Sequence, residues 1–249
     1  VRMLIECWTQ ESVLSKQPHY EIPYPHDTGV VGYPARDSIH TAGALGEIDE
    51  DGNIRRLCIV PRPYSDPHPL LFAPMSGSID SIPFLARNGI RPVYFTPLKT
   101  LVEFARLYVE EGRKNGIEYS FGERQTIARW VHLGDKQEFR EKLRRYDEEM
   151  YYQHYSTFSP NMFRSANVEE DIDGMIGTGI FTGGTLQQLK DQWCKMYEQL
   201  PAEYITLIWH YAQCPKEVML EELNVFLNEV IPQLDAPSSE GRIVHAMAS

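Results

Sequence analysis

The stretch that decides the fold is Pro69-Leu70-Leu71-Phe72-Ala73-Pro74-Met75-Ser76-Gly77-Ser78-Ile79-Asp80-Ser81. Its apolar run predicts a buried strand over Leu70–Ala73, and the small residues after it predict a tight loop. We then expect a helix over Ser78–Asn88, with Ser78 as its N-cap, Ser81 at its third position and Gly89 at its end. Free N–H groups and hydroxyls at such a helix start can bind a phosphate, although serine is also a common cap.

Composition is that of a globular protein, with 249 residues, 42% hydrophobic and 24% charged. The net charge of -11 argues against nucleic acid or an anionic membrane as a partner. No apolar run has the length of a membrane span, and no signal-peptide pattern is recognisable. The four cysteines are scattered without a CxxC pair, which indicates reduced thiols and a cytoplasmic location. No histidines or carboxylates have metal-ligand spacing, so we expect no metal site.

The first 68 residues lack the alternation of strands and helices that is predicted for the rest of the chain. Val1–Leu14 has the pattern of the end of an amphipathic helix, and Ser15–Asp66 is a long excursion rich in proline, glycine and tyrosine. Within it, a turn at Asp51-Gly52 predicts a hairpin that joins Ala44–Ile48 to Ile54–Val60. The polar tail, residues 236–249, is expected to lie outside the folded part.

Strands and helices alternate over residues 69–235. After the first pair, strands are expected at Pro92–Thr96, Thr126–Leu133 and Tyr204–His210, and helices at Leu98–Lys114, Asp135–His154, Gly183–Leu200 and Pro215–Ile231, with a loop at Tyr155–Gly179. This alternation predicts an α/β fold with a parallel sheet covered by helices. The glycine motifs of Rossmann and P-loop sites are missing, and four βα units are half of a (β/α)8 TIM-type barrel. We therefore expect the C-terminal half of such a barrel.

Three stretches in this order resemble the second half of the bacterial-luciferase-like flavin-dependent monooxygenases. They are Pro61–Leu70, Ser76–Ser81 followed by Ala86–Gly89, and Gly179–Leu189. Each motif is short, but together their spacings are fairly specific and the match extends over nearly the whole chain. The resemblance implies a luciferase-like (β/α)8 barrel, of which this chain supplies about four βα units. The family's first four strands, which carry its usual acid–base histidine, would then belong to a part that this sequence does not contain.

The resemblance also implies a cofactor site. In the family, the loop after the fifth strand holds the flavin phosphate, and the matching residues here are Ser76, Gly77, Ser78 and Ser81. Reduced FMN, supplied by a separate flavin reductase, would oxygenate a small organic substrate with O₂. Related barrels use the deazaflavin F420 for hydride transfer, and the sequence does not separate the two cofactors. Further alternatives are a catalytically silent flavin-binding subunit and a truncated fragment. We expect either a homodimer or a complementing chain that carries the N-terminal half of the barrel.

No catalytic residue can be carried over from the family, and the substrate is not predictable. His210, at the end of the last expected strand, is a catalytic candidate whose alternative is a structural role. His154 lies in an aromatic cluster at a helix end, and either Arg124 or Arg129 is expected to pair with a core carboxylate. The run from Arg140 to Glu149 is predicted to be a solvated helix face. Ser15–Asp66 and Tyr155–Gly179 are the candidates for a lid over the substrate.

Overall fold

The computed structural model describes residues 1–75, 78–156, 165–209 and 213–234. They form two compact units, Val1–Leu70 and a second one that begins at Leu71. The first unit contains, in order, helix α1 (Arg2–Thr9), strands β1 (Ser15–Gln17) and β2 (Tyr20–Ile22), and helix α2 (Arg36–Ala42). Strands β1 and β2 pair antiparallel. Most residues of this unit therefore lie in loops.

The predicted turn at Asp51-Gly52 is present, but the hairpin around it is not a regular one. Gly52 has a positive φ of 80°, and the Asn53 N–H donates to the Asp49 carboxylate at 2.8 Å. The flanking segments meet in one isolated antiparallel bridge, Ile48 with Ile54, and Ile54 forms a second bridge with Val30 from an earlier loop. The prediction of two strands was wrong because the carboxylate, more than a ladder of main-chain bonds, organises the turn.

The second unit alternates strands with helices. Its strands are β3 (Phe72–Met75), β4 (Arg91–Tyr94), β5 (Thr126–Leu133), β6 (Phe181–Gly184) and β7 (Tyr204–Ile208). Its helices are α3 (Ile82–Arg87), α4 (Leu98–Lys114), α5 (Lys136–Lys142), α6 (Glu148–Ser156), α7 (Val168–Gly177), α8 (Leu186–Gln199) and α9 (Lys216–Val225). The predicted bounds of α4 agree with the structure at both ends.

All pairings in this sheet are parallel, which confirms the predicted α/β class. The order is β3-β4-β5, after which β7 pairs with Thr126–Trp130 of β5 and β6 with Trp130–Leu133. The four predicted strands are present: β5 has the predicted bounds, and the other three have shifted ends. Strand β6 is an additional strand that the sequence analysis missed. Within the described residues the strands form an open sheet and do not close into a barrel.

Helices cover both faces of the sheet. Ile127 and Val131 of β5 belong to a core that also contains residues of α4 and α8, whereas Trp130 packs with residues of α5 and α7. Neighbouring positions on a strand point to opposite faces, so β5 is covered on both sides. This accounts for its nearly continuous burial, since every residue of β5 except Leu133 is buried.

Three helical predictions need correction. The expected helix Asp135–His154 is interrupted, because a π-helical segment, Leu143–Asp147, joins α5 to α6. A second π-helical segment, Phe226–Val230, follows α9. The expected loop Tyr155–Gly179 contains helix α7, which Asn167 caps by accepting from the Glu169 N–H at 3.0 Å. Among the described residues no helix has the length and apolar character needed to cross a membrane.

Candidate functional site

The first site to consider is the junction of β3 and α3, where the sequence predicts a phosphate site. Ser76 and Gly77 lie outside the described residues. Ser78, with φ -90° and ψ 114°, precedes a 3₁₀ turn over Ile79–Ser81, and the α-helix begins only at Ile82. Ser81 is therefore the residue before α3 and not its third residue. The 3₁₀ turn takes up the residues that were expected to be the first helical turn.

The hydroxyl groups of Ser78 and Ser81 are exposed, and neither side chain caps a helix. The N-cap interaction that the sequence predicts for Ser78 is therefore not made. The junction follows the carboxyl end of β3, and ligands of open parallel sheets bind at carboxyl ends. Asp80 in the same turn is exposed as well, which places a negative charge near any phosphate held here. The geometry leaves both hydroxyls able to donate to a ligand.

A buried cluster of charged groups lies at the carboxyl end of β5. His132, the seventh residue of this strand, contacts two carboxylates through its two ring nitrogens. Its Nε2 is 2.7 Å from Oδ2 of Asp147, and its Nδ1 is 3.1 Å from Oε2 of Glu222. The His132 and Asp147 side chains are 0% exposed and the Glu222 side chain is 3% exposed. We call these three residues, together with Lys142 and Trp209, the His132 cluster.

Glu222 connects the cluster to two strand ends. Its Oε1 accepts from the Leu133 N–H at 2.8 Å and from Lys142 Nζ at 2.7 Å. Its Oε2 accepts from the indole N–H of Trp209 at 2.8 Å, and Trp209 directly follows β7. The Glu222 carboxylate on α9 thus forms hydrogen bonds with residues at the carboxyl ends of β5 and β7. Ligands of parallel sheets bind at this side of the sheet.

In this cluster, burial and pairing shift the pKa values of the ionisable groups in opposite directions. Burial lowers the pKa of His132, but the hydrogen bonds with Asp147 and Glu222 and their charges outweigh it, so the pKa is raised. Burial raises the pKa of the Glu222 carboxyl, but the hydrogen bonds and charges of His132 and Lys142 outweigh it, so the pKa is lowered. For both groups the pairing therefore favours the charged form over the neutral one.

Sequence analysis missed this cluster. Asp147 lies in the run from Arg140 to Glu149 that was predicted to be a solvated face, and Glu148 beside it is buried as well. Glu222 is 90 residues from His132 along the chain, so no local spacing relates the two. The available signal was a histidine near the end of a buried strand, which is too common to indicate a site. Among the described residues no three metal-ligating side chains are grouped to hold a metal ion.

The other predicted candidates lie apart from the cluster or outside the described residues. His210 is among the residues that the structure does not describe. His154 is an exposed residue of α6. The Arg124 guanidinium lies over the Tyr119 ring, 5.5 Å from its centroid. Arg129 is fully buried within β5 and donates to the carbonyls of Tyr94 and Ala128, at 3.3 and 2.7 Å, and not to a carboxylate of the described residues.

Comparison with solved structures places the fold among flavin- and F420-dependent enzymes. The oxygenating constituent of 3,6-diketocamphane monooxygenase from Pseudomonas putida, solved in complex with FMN, aligns with a TM-score of 0.62 and 14% identity, over 96% of this chain and 62% of its own. The monooxygenase RslO1 from Streptomyces bottropensis aligns with a TM-score of 0.60 and 14% identity, over 94% and 59%. An F420-dependent secondary alcohol dehydrogenase aligns with a TM-score of 0.57 and 12% identity, over 94% and 59%.

The resemblance to luciferase-like flavin monooxygenases is thus confirmed at the level of the fold. This chain spans about three fifths of the length of these proteins, with 59% and 62% of the two monooxygenases covered. No protein-family model and no curated protein sequence matches the chain. The comparisons therefore establish a shared architecture, and activity has to be argued from the residues.

Proposed function

We propose that this chain forms the phosphate-binding half of a luciferase-like (β/α)8 flavin-dependent monooxygenase. Ser78 and Ser81, with Ser76 and Gly77 beside them, would hold the phosphate of FMN. Bound FMN, reduced by a separate flavin reductase, would supply the electrons with which O₂ oxygenates a small organic substrate. The remaining strands of the barrel would come from another part of the assembly.

One observation carries this proposal more than any other. The strand–turn–helix junction at β3 and α3 presents two serine hydroxyls that make no cap, in a fold whose solved examples include an FMN complex. Hydroxyl and main-chain N–H donors at such a junction suit a phosphate. The exposed Asp80 carboxylate opposes an anion, so the proposal requires it to point away from the phosphate.

The described residues offer groups that suit the phosphate of the cofactor. The exposed Ser78 and Ser81 offer hydroxyl donors, and the chain offers them at the carboxyl side of the edge strand β3. Their role would be to fix the phosphate and so orient the rest of the cofactor over the strand ends. F420 is a second candidate because a solved protein of this fold is F420-dependent. A catalytically silent flavin-binding subunit is the alternative without chemistry.

The test compares FMN with riboflavin, which has the same ring but no phosphate. We expect the chain to bind FMN more tightly, as measured by flavin fluorescence titration. The double variant Ser78→Ala with Ser81→Ala should lose about a hundredfold or more in FMN affinity, because each of the two hydrogen bonds to a charged group is worth about 1.5–3 kcal/mol. Its riboflavin affinity should not change. A parallel titration with F420 decides between the cofactors.

Ser120→Ala is the matched control. Ser120 is also exposed, but it precedes β5 and so belongs to the amino-terminal side of the sheet. Equal affinities of the wild-type chain for FMN and riboflavin would refute the phosphate site. A loss of FMN affinity in Ser120→Ala as large as in the double variant would also refute it, since the effect would then not depend on the junction.

We further propose that the β3 side of the sheet is completed by another polypeptide segment. β3 is the terminal strand of the sheet order, and Phe72 on it is 44% exposed. Unpaired strand edges with apolar side chains favour pairing with a further strand. A homodimer and a complementing chain with the remaining βα units are the two forms that this can take. Native mass spectrometry of the protein isolated from its own cells distinguishes them, and a monomer in that sample would contradict both.

A further inference from the structure

We propose that His132 is a pH-sensitive clamp. As an imidazolium it joins the end of β5 to the π-helical segment Leu143–Asp147 and to α9, and the loss of one ring proton weakens this connection. The inference rests on the His132 cluster alone and does not depend on the proposed cofactor site. The cluster lies at the carboxyl ends of β5 and β7, so the protonation of His132 would affect any ligand site formed at these strand ends.

The contacts of His132 require two protons on the ring. Nε2 faces Asp147 at 2.7 Å and Nδ1 faces Glu222 at 3.1 Å. A neutral imidazole has one N–H donor, whereas the imidazolium has two. With a neutral ring, one of the two carboxylates would face a nitrogen lone pair at hydrogen-bond distance, in a place that water does not reach. The arrangement is attractive on both sides only for the charged ring.

Charge balance favours the same state. The cluster contains the carboxylates of Asp147 and Glu222, and the Lys142 ammonium pairs with Glu222 at 2.7 Å. With a protonated His132 the two negative charges meet two positive ones. Deprotonation removes a positive charge from between two buried carboxylates, and the loss of a partner for a buried charge is costly. The clamp is therefore complete only while the ring holds its second proton.

The elements packed against the His132 ring contribute the charged and titratable groups that can influence its protonation. The π-helical segment brings Asp147 and the Tyr146 ring, whose centroid is 6.0 Å from that of His132. Helix α9 brings Glu222, and α5 brings Lys142. Cys214, which precedes α9, has its pKa raised to about 11 by burial and by the charges of Glu222 and Asp147. Because this pKa is so high, the thiol stays neutral through the range in which His132 titrates.

The direction of the pH effect follows from linkage. The pKa of His132 is raised in the folded state, so its stabilising effect is complete below about pH 6.5, the ordinary pKa of histidine, and is lost as the pH rises through the folded value. Glu222 acts in the opposite direction: its pKa is lowered, so its effect is present above the ordinary value near 4.5 and is lost in acid. The clamp is strongest between these limits and opens on the alkaline side.

Hydrogen exchange of the wild-type chain between about pH 6 and pH 10 tests the clamp. After correction for the intrinsic rate, amides in Leu143–Asp147 and Lys216–Val225 should exchange faster at the alkaline end. Each pH unit by which the pKa of His132 in the closed state exceeds its pKa in the opened state changes the opening equilibrium by up to about tenfold. Amides of α4 should show no such step. The same step in α4 would indicate general loosening and would overturn the proposal.

Variants and a direct measurement complete the test. His132→Gln should remove the alkaline step, whereas His40→Gln, at an exposed histidine of α2, should keep it. Because His132→Gln can fail to fold, ¹⁵N-histidine spectra of the wild-type chain give an independent result: both ring nitrogens of His132 should carry protons at pH 6. A neutral His132 ring in the folded chain at pH 6, or a step that persists in folded His132→Gln, would overturn the proposal.

Discussion

Arg129 is a cation in the interior of the second unit, and it forms no ion pair with a carboxylate of the described residues. Its side chain is fully buried, and its Nε and Nη2 have no hydrogen-bond partner among those residues. Burial lowers its pKa to about 10. For a base, a lowered pKa means that the charged form is disfavoured by folding, so Arg129 reduces stability at every pH below that value.

Arg129→Met is therefore expected to stabilise the chain by about 1 kcal/mol or more, because an apolar side chain of similar length replaces a buried charge. Urea unfolding at pH 7 measures the change. Arg106→Met is the control at an exposed position of α4, where we expect a change within about 0.5 kcal/mol. A loss of stability in Arg129→Met would contradict this expectation and would mean that the hydrogen bonds of the guanidinium, such as those to the Tyr94 and Ala128 carbonyls, outweigh the cost of its burial.

Strand β6 illustrates why one element was missed. Phe181-Thr182-Gly183-Gly184 contains two glycines, which are depleted in strands, so the sequence favoured the start of a helix. The structure shows why Gly183 is there: a Cβ at this position would lie 2.3 Å from the His132 carbonyl oxygen and 2.5 Å from the Phe139 ring. The glycine allows β6 to lie against the end of β5, next to the His132 cluster.

Gly183→Ala should consequently destabilise the chain by about 2 kcal/mol or more, since backbone and a core ring would both have to shift. Thermal or urea unfolding gives the difference. Gly177→Ala, at the last position of α7, has nothing within 4 Å of the added Cβ and should leave stability unchanged or raise it by up to about 1 kcal/mol. Similar losses in both variants would contradict the role assigned to Gly183.

Local signals were predictable and contacts between distant residues were not. Helix α4 has an amphipathic period over 17 residues, and α8 starts with the predicted capping box of Thr185 and Gln188. The π-helical segment that carries Asp147 has no sequence signature, since its hydrogen-bond pattern is unusual and its setting depends on tertiary packing. The same holds for Glu222, which looks like one of two adjacent surface acids until α9 is packed against β5.

The two units of the molecule differ in how much apolar surface each buries within itself. The buried apolar side chains of Val1–Leu70 are those of Val13, Pro23 and Ile54, and neither α1 nor α2 contains a buried residue. Large apolar side chains are exposed there instead, among them Leu45 at 88%. The second unit has extended cores on both sides of β5. Since apolar burial has to offset the entropy of ordering the chain, their stabilities should differ strongly.

Separately expressed units should therefore behave differently. Residues 1–70 alone are expected to lack a cooperative thermal transition in circular dichroism, because three buried apolar side chains are too few for a stable core. Residues 71–249 should keep one, because their cores are formed by their own residues. In the intact chain, amides of α1 and α2 should exchange at least about tenfold faster than those of α4 and β5. A cooperative transition of 1–70 on its own would show that the loops and the Glu47 carboxylate, which accepts from the Ala44 and Cys58 N–H groups at 2.9 and 2.7 Å, stabilise that unit more than its apolar burial does.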